Sequence, residues 1–330
     1  MIRRRTLLVS TAAAGAGLAA PAVQAQPRNP SWPRALTMGT AAPGGTYAVY
    51  GPAWGQLAAA ATGVNISYRT TQGPNQNIVL VDQKQVELGM VTMGVALQAW
   101  EGTGEWTRGA KFRNIRALFP MYDTPFHAVA LRRSGISDHS HLNGRSVGVG
   151  PRGGTPGTYY PLILRTLGVT PSRIGYGSGS DMIGQVSDGL LDCFAFAAGV
   201  PIPAFSEIET TNDVTIFGFT EAQTDAIVKA HPELSKGTIP AGTYRSLREP
   251  INIVGVFNFA IGHKDLPEDL VYEIVKSIMT QNAAMVQAIS TAKETVPENV
   301  TKNSFLPFHP GAARWFRENG FPIPNNLIMS

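Results

Sequence analysis

The stretch TMGTAAPGGTYAVYGPAWGQL, from Thr37 to Leu57, predicts a strand, a glycine-rich turn and a helix, in that order. The helix is supported by Tyr50, Trp54 and Leu57, which recur at helical spacing and form one apolar face. A second stretch, VGVGPRGGTPGTYYPLILRTLG (147–168), repeats the plan with proline, paired glycines and threonine again ahead of a tyrosine-bearing helix. The chain therefore carries two related strand–turn–helix units.

Short apolar runs alternate with helical patterns along the rest of the chain, which is typical of βαβ units and of an α/β fold. Two longer apolar runs, PFHAVALR (125–132) and INIVGVFNFAIG (251–262), enclose one of these βα sets. If both runs cross between lobes, they form a hinge of two long strands. We then expect lobe I at 34–124 plus 255–330 and lobe II at 125–254, with the ligand in the interlobe cleft at the carboxyl ends of the strands.

The first 25 residues have the composition of a signal peptide. Arg3, Arg4 and Arg5 precede an apolar run that is too short to span a bilayer comfortably, and AVQA ending at Ala25 offers small residues for cleavage. We expect a signal peptide at 1–25, a linker at 26–33 and a periplasmic protein. Ordinary secretion and twin-arginine export both stay open, as does an uncleaved anchor.

Composition excludes several functional classes. The formal net charge of +4 includes the three leader arginines, so the remaining chain is nearly neutral and nucleic acid is not expected as a partner. Cys193 is the single cysteine and lies in an apolar run, so no internal disulfide can form. The sequence contains no GxGxxG, Walker, GxSxG or HExxH motif. We therefore expect no cofactor, no metal and no enzymatic activity.

Several segments in a fixed order carry a family resemblance. They are GTAAPGGTY, GPNQNIVLVDQKQVELGMV, PFHAVALRRSGI with LNGRSVGVGPRGGT, DGLLDCFAFAAGVPIPA, and INIVGVFNFAIGHKDLPEDLVYEIVK. Together they resemble the TAXI-type solute-binding proteins of tripartite ATP-independent periplasmic (TRAP) transporters. The resemblance implies a type II periplasmic-binding-protein fold and a small carboxylate ligand: a dicarboxylate, a 2-oxo acid or a glutamate-like acid. It also implies delivery to a TRAP membrane permease, and we expect a monomer. An ABC importer as partner, or a periplasmic sensor role, stays open as an alternative.

Two departures from the family pattern bear on the ligand. Thr92-Met93-Gly94 follows the third strand where relatives often carry an aspartate, and Arg152 stands where relatives often have a small residue or proline. The loss of a negative charge and the gain of a positive one both favour a ligand without an ammonium group.

The glycine turns are candidate anion sites, because backbone N–H groups at a helix start are unpaired and carry the positive end of the helix dipole. One turn holds Gly44, Gly45 and Thr46, with Tyr47 closing over it. The alternative is that each turn simply ends a strand and starts a helix. The second turn offers an equivalent group from the opposite lobe, namely Gly153, Gly154 and Thr155.

Further candidates surround these turns. Arg152 would pair with a ligand carboxylate, although it would otherwise face solvent. Arg69 would reach the cleft or pair with a surface acid, and Asn77 would either contact the ligand or cap its helix. The remaining candidates are small or hydroxyl-bearing residues at strand ends: Thr92, Ala198 and Gly199.

Overall fold

The computed structural model of the protein describes residues 29–328, so the predicted signal peptide and the start of the predicted linker lie outside the described residues. Helices and strands alternate along most of the described chain, which ends in three successive α-helices. The strands are β1 (Ala35–Gly39), β2 (Asn65–Arg69), β3 (Leu88–Thr92), β4 (Ile115–Leu131), β5 (Ser146–Gly148), β6 (Arg173–Gly175), β7 (Cys193–Ala197), β8 (Val214–Phe217), β9 (Ser235–Ile239) and β10 (Ile251–His263). The α-helices are α1 (Tyr47–Thr62), α2 (Pro74–Asp82), α3 (Met93–Glu101), α4 (Thr155–Thr166), α5 (Gly179–Ser187), α6 (Pro203–Thr211), α7 (Glu221–Ala230), α8 (Glu268–Thr280), α9 (Asn282–Ala288) and α10 (Pro310–Glu318).

The strands form a mixed sheet in the order β2-β1-β3-β10-β4-β7-β5-β6, with β8 paired to β4 and β9 paired to β10. In one half, β1 lies parallel to β2 and β3, and in the other half β5 lies parallel to β6 and β7. Each parallel pair is connected through a helix, as the alternation in the sequence predicts. The α/β fold with two lobes is confirmed.

Two long strands run through both lobes. The first half of β4 pairs with β10, and its second half pairs with β7 and β8. The first half of β10 pairs with β9, and its second half pairs with β3 and β4. Lobe I contains β1 to β3 with the first half of β4 and the second half of β10, and lobe II contains β5 to β9 with the other halves. The residue bounds predicted for the lobes stay a prediction.

Burial of apolar side chains holds α1, the helix that follows the first glycine turn, in place against the sheet. Tyr50, Trp54 and Ala58 of α1 are fully buried, and the Trp54 ring packs edge-on against Phe119 of β4 with centroids 5.3 Å apart. Full burial of an aromatic side chain contributes about 2–3 kcal/mol of hydrophobic free energy. This face therefore holds the start of α1 at a fixed position above the carboxyl ends of the strands.

Candidate functional site

A cavity of about 50 Å³ lies between the two lobes, where the parallel strands of both halves end. This volume is well above the 10–15 Å³ that a cavity needs to hold a water molecule. Lobe I and lobe II both contribute backbone from the residues that follow their strands. The lining residues are Ala41, Ala42, Gly45, Thr46, Tyr47, Gln72, Gly73, Pro74, Thr92, Tyr122, Thr124, Pro151, Gly154, Thr155, Pro156, Gly179, Phe196, Ala197, Ala198 and Asn258.

The start of α1 forms one wall of the cavity. Thr46 is the residue before the helix, and the backbone N–H groups of Tyr50 and Val49 donate to its carbonyl oxygen at 2.9 and 3.1 Å. The N–H groups of Thr46 and Tyr47 have no hydrogen-bond acceptor among residues 29–328. They are orphan donors of a helix of 16 residues, and they carry the positive end of its dipole.

The start of α4 forms the opposite wall. Gly154 precedes this helix of 12 residues, and its N–H donates to the carbonyl oxygen of Pro151 at 3.0 Å. Pro156 lacks an N–H, and within the described chain the N–H of Thr155 meets no acceptor. Two helix N-termini from opposite lobes therefore meet at one cavity, as the two glycine turns in the sequence predict.

Direct contacts hold the lobes together around the cavity. The hydroxyl of Thr46 donates to the carbonyl oxygen of Gly199 at 2.8 Å, and the hydroxyls of Thr92 and Thr155 share a hydrogen bond of 2.9 Å. The N–H of Gly153 donates to Gln72 Oε1 at 3.2 Å. The structure thus has the two lobes closed on each other.

A polar network from the two crossing strands forms the floor. Asn258 of β10 donates through Nδ2 to the carbonyl oxygen of Tyr122 at 2.7 Å and to Thr124 Oγ1 at 2.5 Å. Its Oδ1 accepts from the Tyr47 hydroxyl at 2.5 Å. Because Asn258 and Thr124 are buried, these bonds satisfy groups that have no access to water.

The hydroxyls of Tyr47 and Tyr50 are hydrogen-bonded, whereas that of the neighbouring Tyr122 is not bonded within the described chain. The side chain is fully buried on β4, and its ring packs edge-on against Tyr50 at 4.9 Å between centroids. Its hydroxyl oxygen has no hydrogen-bond partner in the described chain. Burial, together with the neighbouring Tyr47, Tyr50 and Glu294, raises the pKa of Tyr122, so the group stays a neutral O–H donor.

The structure brings seven of the predicted site residues to the cavity wall. They are Gly45, Thr46, Tyr47, Thr92, Gly154, Thr155 and Ala198. Three more lie at the lobe–lobe contact beside it: Gly44 packs against Gly179, Gly153 bonds to Gln72, and Gly199 accepts from Thr46.

Three residues predicted to contact the ligand do not line this cavity, and their role toward a ligand stays a prediction. Asn77 is fully buried in α2, where its Nδ2 donates to the carbonyl oxygens of Thr40 and Met90, so its amide is used within lobe I. Arg152 is exposed, and its guanidinium lies over the Tyr176 ring at 3.8 Å from the centroid. Arg69 is exposed at the end of β2 and does not line the cavity.

Tyr122, Thr124 and Asn258 are cavity residues that the sequence did not predict. All three lie in the middle of long strands rather than in the turns after strands. The one available signal was polar character inside an apolar run, which Asn258 shows within INIVGVFNFAIG.

The charge of the site is set by backbone alone. No lining side chain within residues 29–328 is ionisable in the ordinary range, since the wall has no Asp, Glu, His, Lys, Arg or Cys. The described residues also contain no group of three or more His, Cys, Asp or Glu side chains placed to hold a metal ion. No helix in the described part has both the length and the apolar character to cross a membrane.

Solved structures share this fold at low sequence identity. The periplasmic binding protein BugD superposes with a TM-score of 0.57 at 14% identity, covering 88% of this chain and 99% of that one. MatC from Rhodopseudomonas palustris with bound malate superposes with a TM-score of 0.57 at 12% identity, covering 87% of this chain and 97% of that one. PhnD1 from Prochlorococcus marinus (MIT 9301) in complex with methylphosphonate superposes with a TM-score of 0.51 at 13% identity, covering 80% of this chain and 91% of that one. These likenesses confirm the periplasmic-binding-protein fold.

The family model of the NMT1-like family matches residues 38–320, which include both helix starts, both crossing strands and the whole cavity wall. The chain therefore belongs to the NMT1-like family.

Proposed function

We propose that this protein is an extracytoplasmic solute-binding protein that captures a small carboxylate and delivers it to a membrane permease. The observation that carries the proposal is the meeting of two helix N-termini, one from each lobe, with unpaired N–H groups at Thr46, Tyr47 and Thr155. A carboxylate accepts from such donors and is stabilised by the positive ends of both helix dipoles.

The binding step follows from the lobe contacts. An open form exposes each helix start to water, and a carboxylate bound to one of them provides an acceptor for the other. The ligand therefore binds the closed form more tightly than the open form, which is the condition for a ligand to shift such an equilibrium. Permease recognition of the closed, loaded form would then couple binding to transport.

The lining also supports binding without turnover. General acid–base catalysis needs a group that exchanges protons near neutral pH, and the wall offers only hydroxyl and amide side chains. Burial raises the pKa of the Tyr47 and Tyr122 hydroxyls further from neutrality. Within this fold, one structure holds malate and another methylphosphonate, so the architecture accommodates small anions.

A ligand screen tests the proposal. The protein is unfolded and refolded to remove bound ligand, and its melting temperature is followed with a panel of mono- and dicarboxylates. A true ligand at 100 times its dissociation constant adds about 2.7 kcal/mol of stability, and mass spectrometry should show the acid unchanged. Product formed at catalytic yield, or no stabilisation by any carboxylate, would contradict the proposal.

The transporter class is the finer part of the proposal. The sequence resemblance supports a TRAP permease driven by an ion gradient, with the protein exported to the periplasm by residues 1–25. Genes for a multi-spanning permease without an ATPase should lie beside this one. A neighbouring ATPase and ABC permease would instead assign the protein to an ABC importer.

A further inference from the structure

Residues 290–295, which we call the strap, follow α9 and begin with a short 3-10 helix. The C-terminal end of the strap is bonded to lobe I. The hydroxyl of Thr295 is fully buried and shares a hydrogen bond of 2.7 Å with the hydroxyl of Tyr50 in α1. It also donates to the carbonyl oxygen of Met121 in the first half of β4 at 3.0 Å. This end of the strap is therefore fixed to lobe I.

The strap is also bonded to a crossing strand. The carboxylate of Glu294 accepts from the backbone N–H of Asp123 through Oε2 at 2.8 Å. Asp123 lies near the point of β4 where pairing with β10 ends and pairing with β7 begins, at Phe126. The strap thus lies against the strand that joins the two lobes.

The N-terminal end of the strap contacts lobe II. Thr291 is buried, and its hydroxyl donates to the carbonyl oxygen of Val200, in the loop after β7, at 3.0 Å. The backbone of Gly199 passes between the strap and β4, since a Cβ added there would lie 2.5 Å from Thr291 Cγ2 and 2.6 Å from the ring of Tyr122. Neither Thr291 nor Val200 is part of the cavity wall.

We propose that the strap stabilises the closed form of the protein, and that Thr291 is a positioning residue that sets the balance between open and closed lobes from outside the cavity. The hydrogen bond from Thr291 to Val200 joins the two lobes and is lost when they separate, so it favours the closed form alone. One such bond changes the equilibrium about fivefold. This goes beyond the proposed function, because the balance exists whatever molecule the cavity binds.

Two backbone N–H groups report the opening of the lobes. The N–H of Asn75 in α2 donates to the carbonyl oxygen of Gly153 in lobe II at 3.1 Å. The N–H of Gly179 in α5 donates to the carbonyl oxygen of Pro43 in lobe I, also at 3.1 Å. Both lie in the first turn of a helix, where no acceptor of the same helix is available. Their exchange with deuterium therefore follows the open fraction of the protein.

Amide hydrogen exchange, measured by NMR on refolded protein without added carboxylate, tests the inference on wild type, Thr291→Val and Thr291→Ser. Valine keeps the shape of the side chain without the hydroxyl, whereas serine keeps the hydroxyl. Exchange at Asn75 and Gly179 should be about fivefold faster in Thr291→Val and within about twofold of wild type in Thr291→Ser. Exchange at Thr40 and Val149, whose N–H groups bond within lobe I and within lobe II, should not change.

Thr295→Val is the matched control. Thr295 is a buried threonine of the same strap, but its hydroxyl bonds are made within lobe I. This variant should unfold at lower denaturant concentration, while Asn75 and Gly179 keep their wild-type exchange rates. Unchanged exchange in Thr291→Val, or equal acceleration in Thr295→Val, overturns the inference and leaves the proposed function intact. The same holds if both N–H groups already exchange at the rate of an unprotected amide in wild type.

Discussion

At the scale of single residues, the position of a side chain relative to the cavity decides whether its chemistry is available. Arg152 follows Pro151, a cavity residue, yet its own side chain points to the surface and stacks on Tyr176. Asn77 carries a suitable amide, but that amide satisfies buried carbonyl groups of β3 and of the loop after β1. The backbone N–H groups of Thr46, Tyr47 and Thr155 are left to meet a ligand.

Arg152→Ala should therefore change carboxylate affinity by less than about fivefold, because an exposed guanidinium that does not line the cavity acts on the ligand only as a solvent-screened charge, worth about 0–1 kcal/mol. Titration calorimetry of the variant and wild type with the same acid measures this. A loss of about a hundredfold or more would show that the arginine reaches the bound carboxylate.

At the scale of elements, the turn before α1 fits against the start of α5 in the opposite lobe. The Gly44 backbone has φ +83°, and a Cβ added there would lie 2.6 Å from the backbone nitrogen of Ser180. The atom in the way is backbone, which cannot move aside as a flexible side chain can. Glycine is therefore needed at this position both for the turn conformation and for lobe closure.

Gly44→Ala should weaken ligand binding by at least about tenfold, since it obstructs the closed form that the ligand prefers. Gly168→Ala is the control, because Gly168 has a similar φ of +68° but no atom within 4 Å of the added Cβ. Both variants should lose a similar amount of stability from backbone strain, while only the first should lose affinity. Equal affinities in the two variants would show that the turn does not limit closure.

Most elements of the fold are predictable because apolar runs and turn residues are local signals. The exceptions have physical reasons. The run at 125–132 predicts a long strand of its own, but it forms the second half of β4, which is continuous from Ile115 and accommodates Pro120 and Pro125. Strand β9 has no such signal because SKGTI is polar and largely exposed. The site is predictable at its glycine turns, whereas the contacts of Tyr122 and Asn258 depend on which face of a crossing strand meets the other lobe.

At the scale of the whole molecule, buried histidines make the fold sensitive to acid. Burial lowers the pKa of His127 to about 3 and the pKa values of His139 and His309 to about 4, from the ordinary 6.5. These groups stay neutral in the folded protein but bind protons once unfolded below pH 6.5. Asp123 acts in the opposite direction, because burial and Glu294 raise its pKa to about 6.

Near pH 5 the unfolded chain thus binds about two protons more than the folded chain through these groups, so stability should fall by about 2.7 kcal/mol per pH unit. The loss should begin below pH 6.5 and continue toward pH 4. Denaturant unfolding at pH 6.5, 5.5 and 5.0 measures it, and His139→Gln should reduce the slope. Stability that is constant or rises over this range would contradict the assignment of neutral buried histidines.

In the proposed complex, two helix starts from opposite lobes hold one carboxylate. A crystal structure of the protein with the acid that raises its melting temperature most tests this directly. We expect the carboxylate in the interlobe cavity, with oxygens about 2.7–3.2 Å from the backbone nitrogens of Thr46 or Tyr47 on one side and Thr155 on the other. A carboxylate bound outside this cavity, or one paired with Arg152 or Arg69 in place of the backbone groups, would contradict binding by the two helix starts.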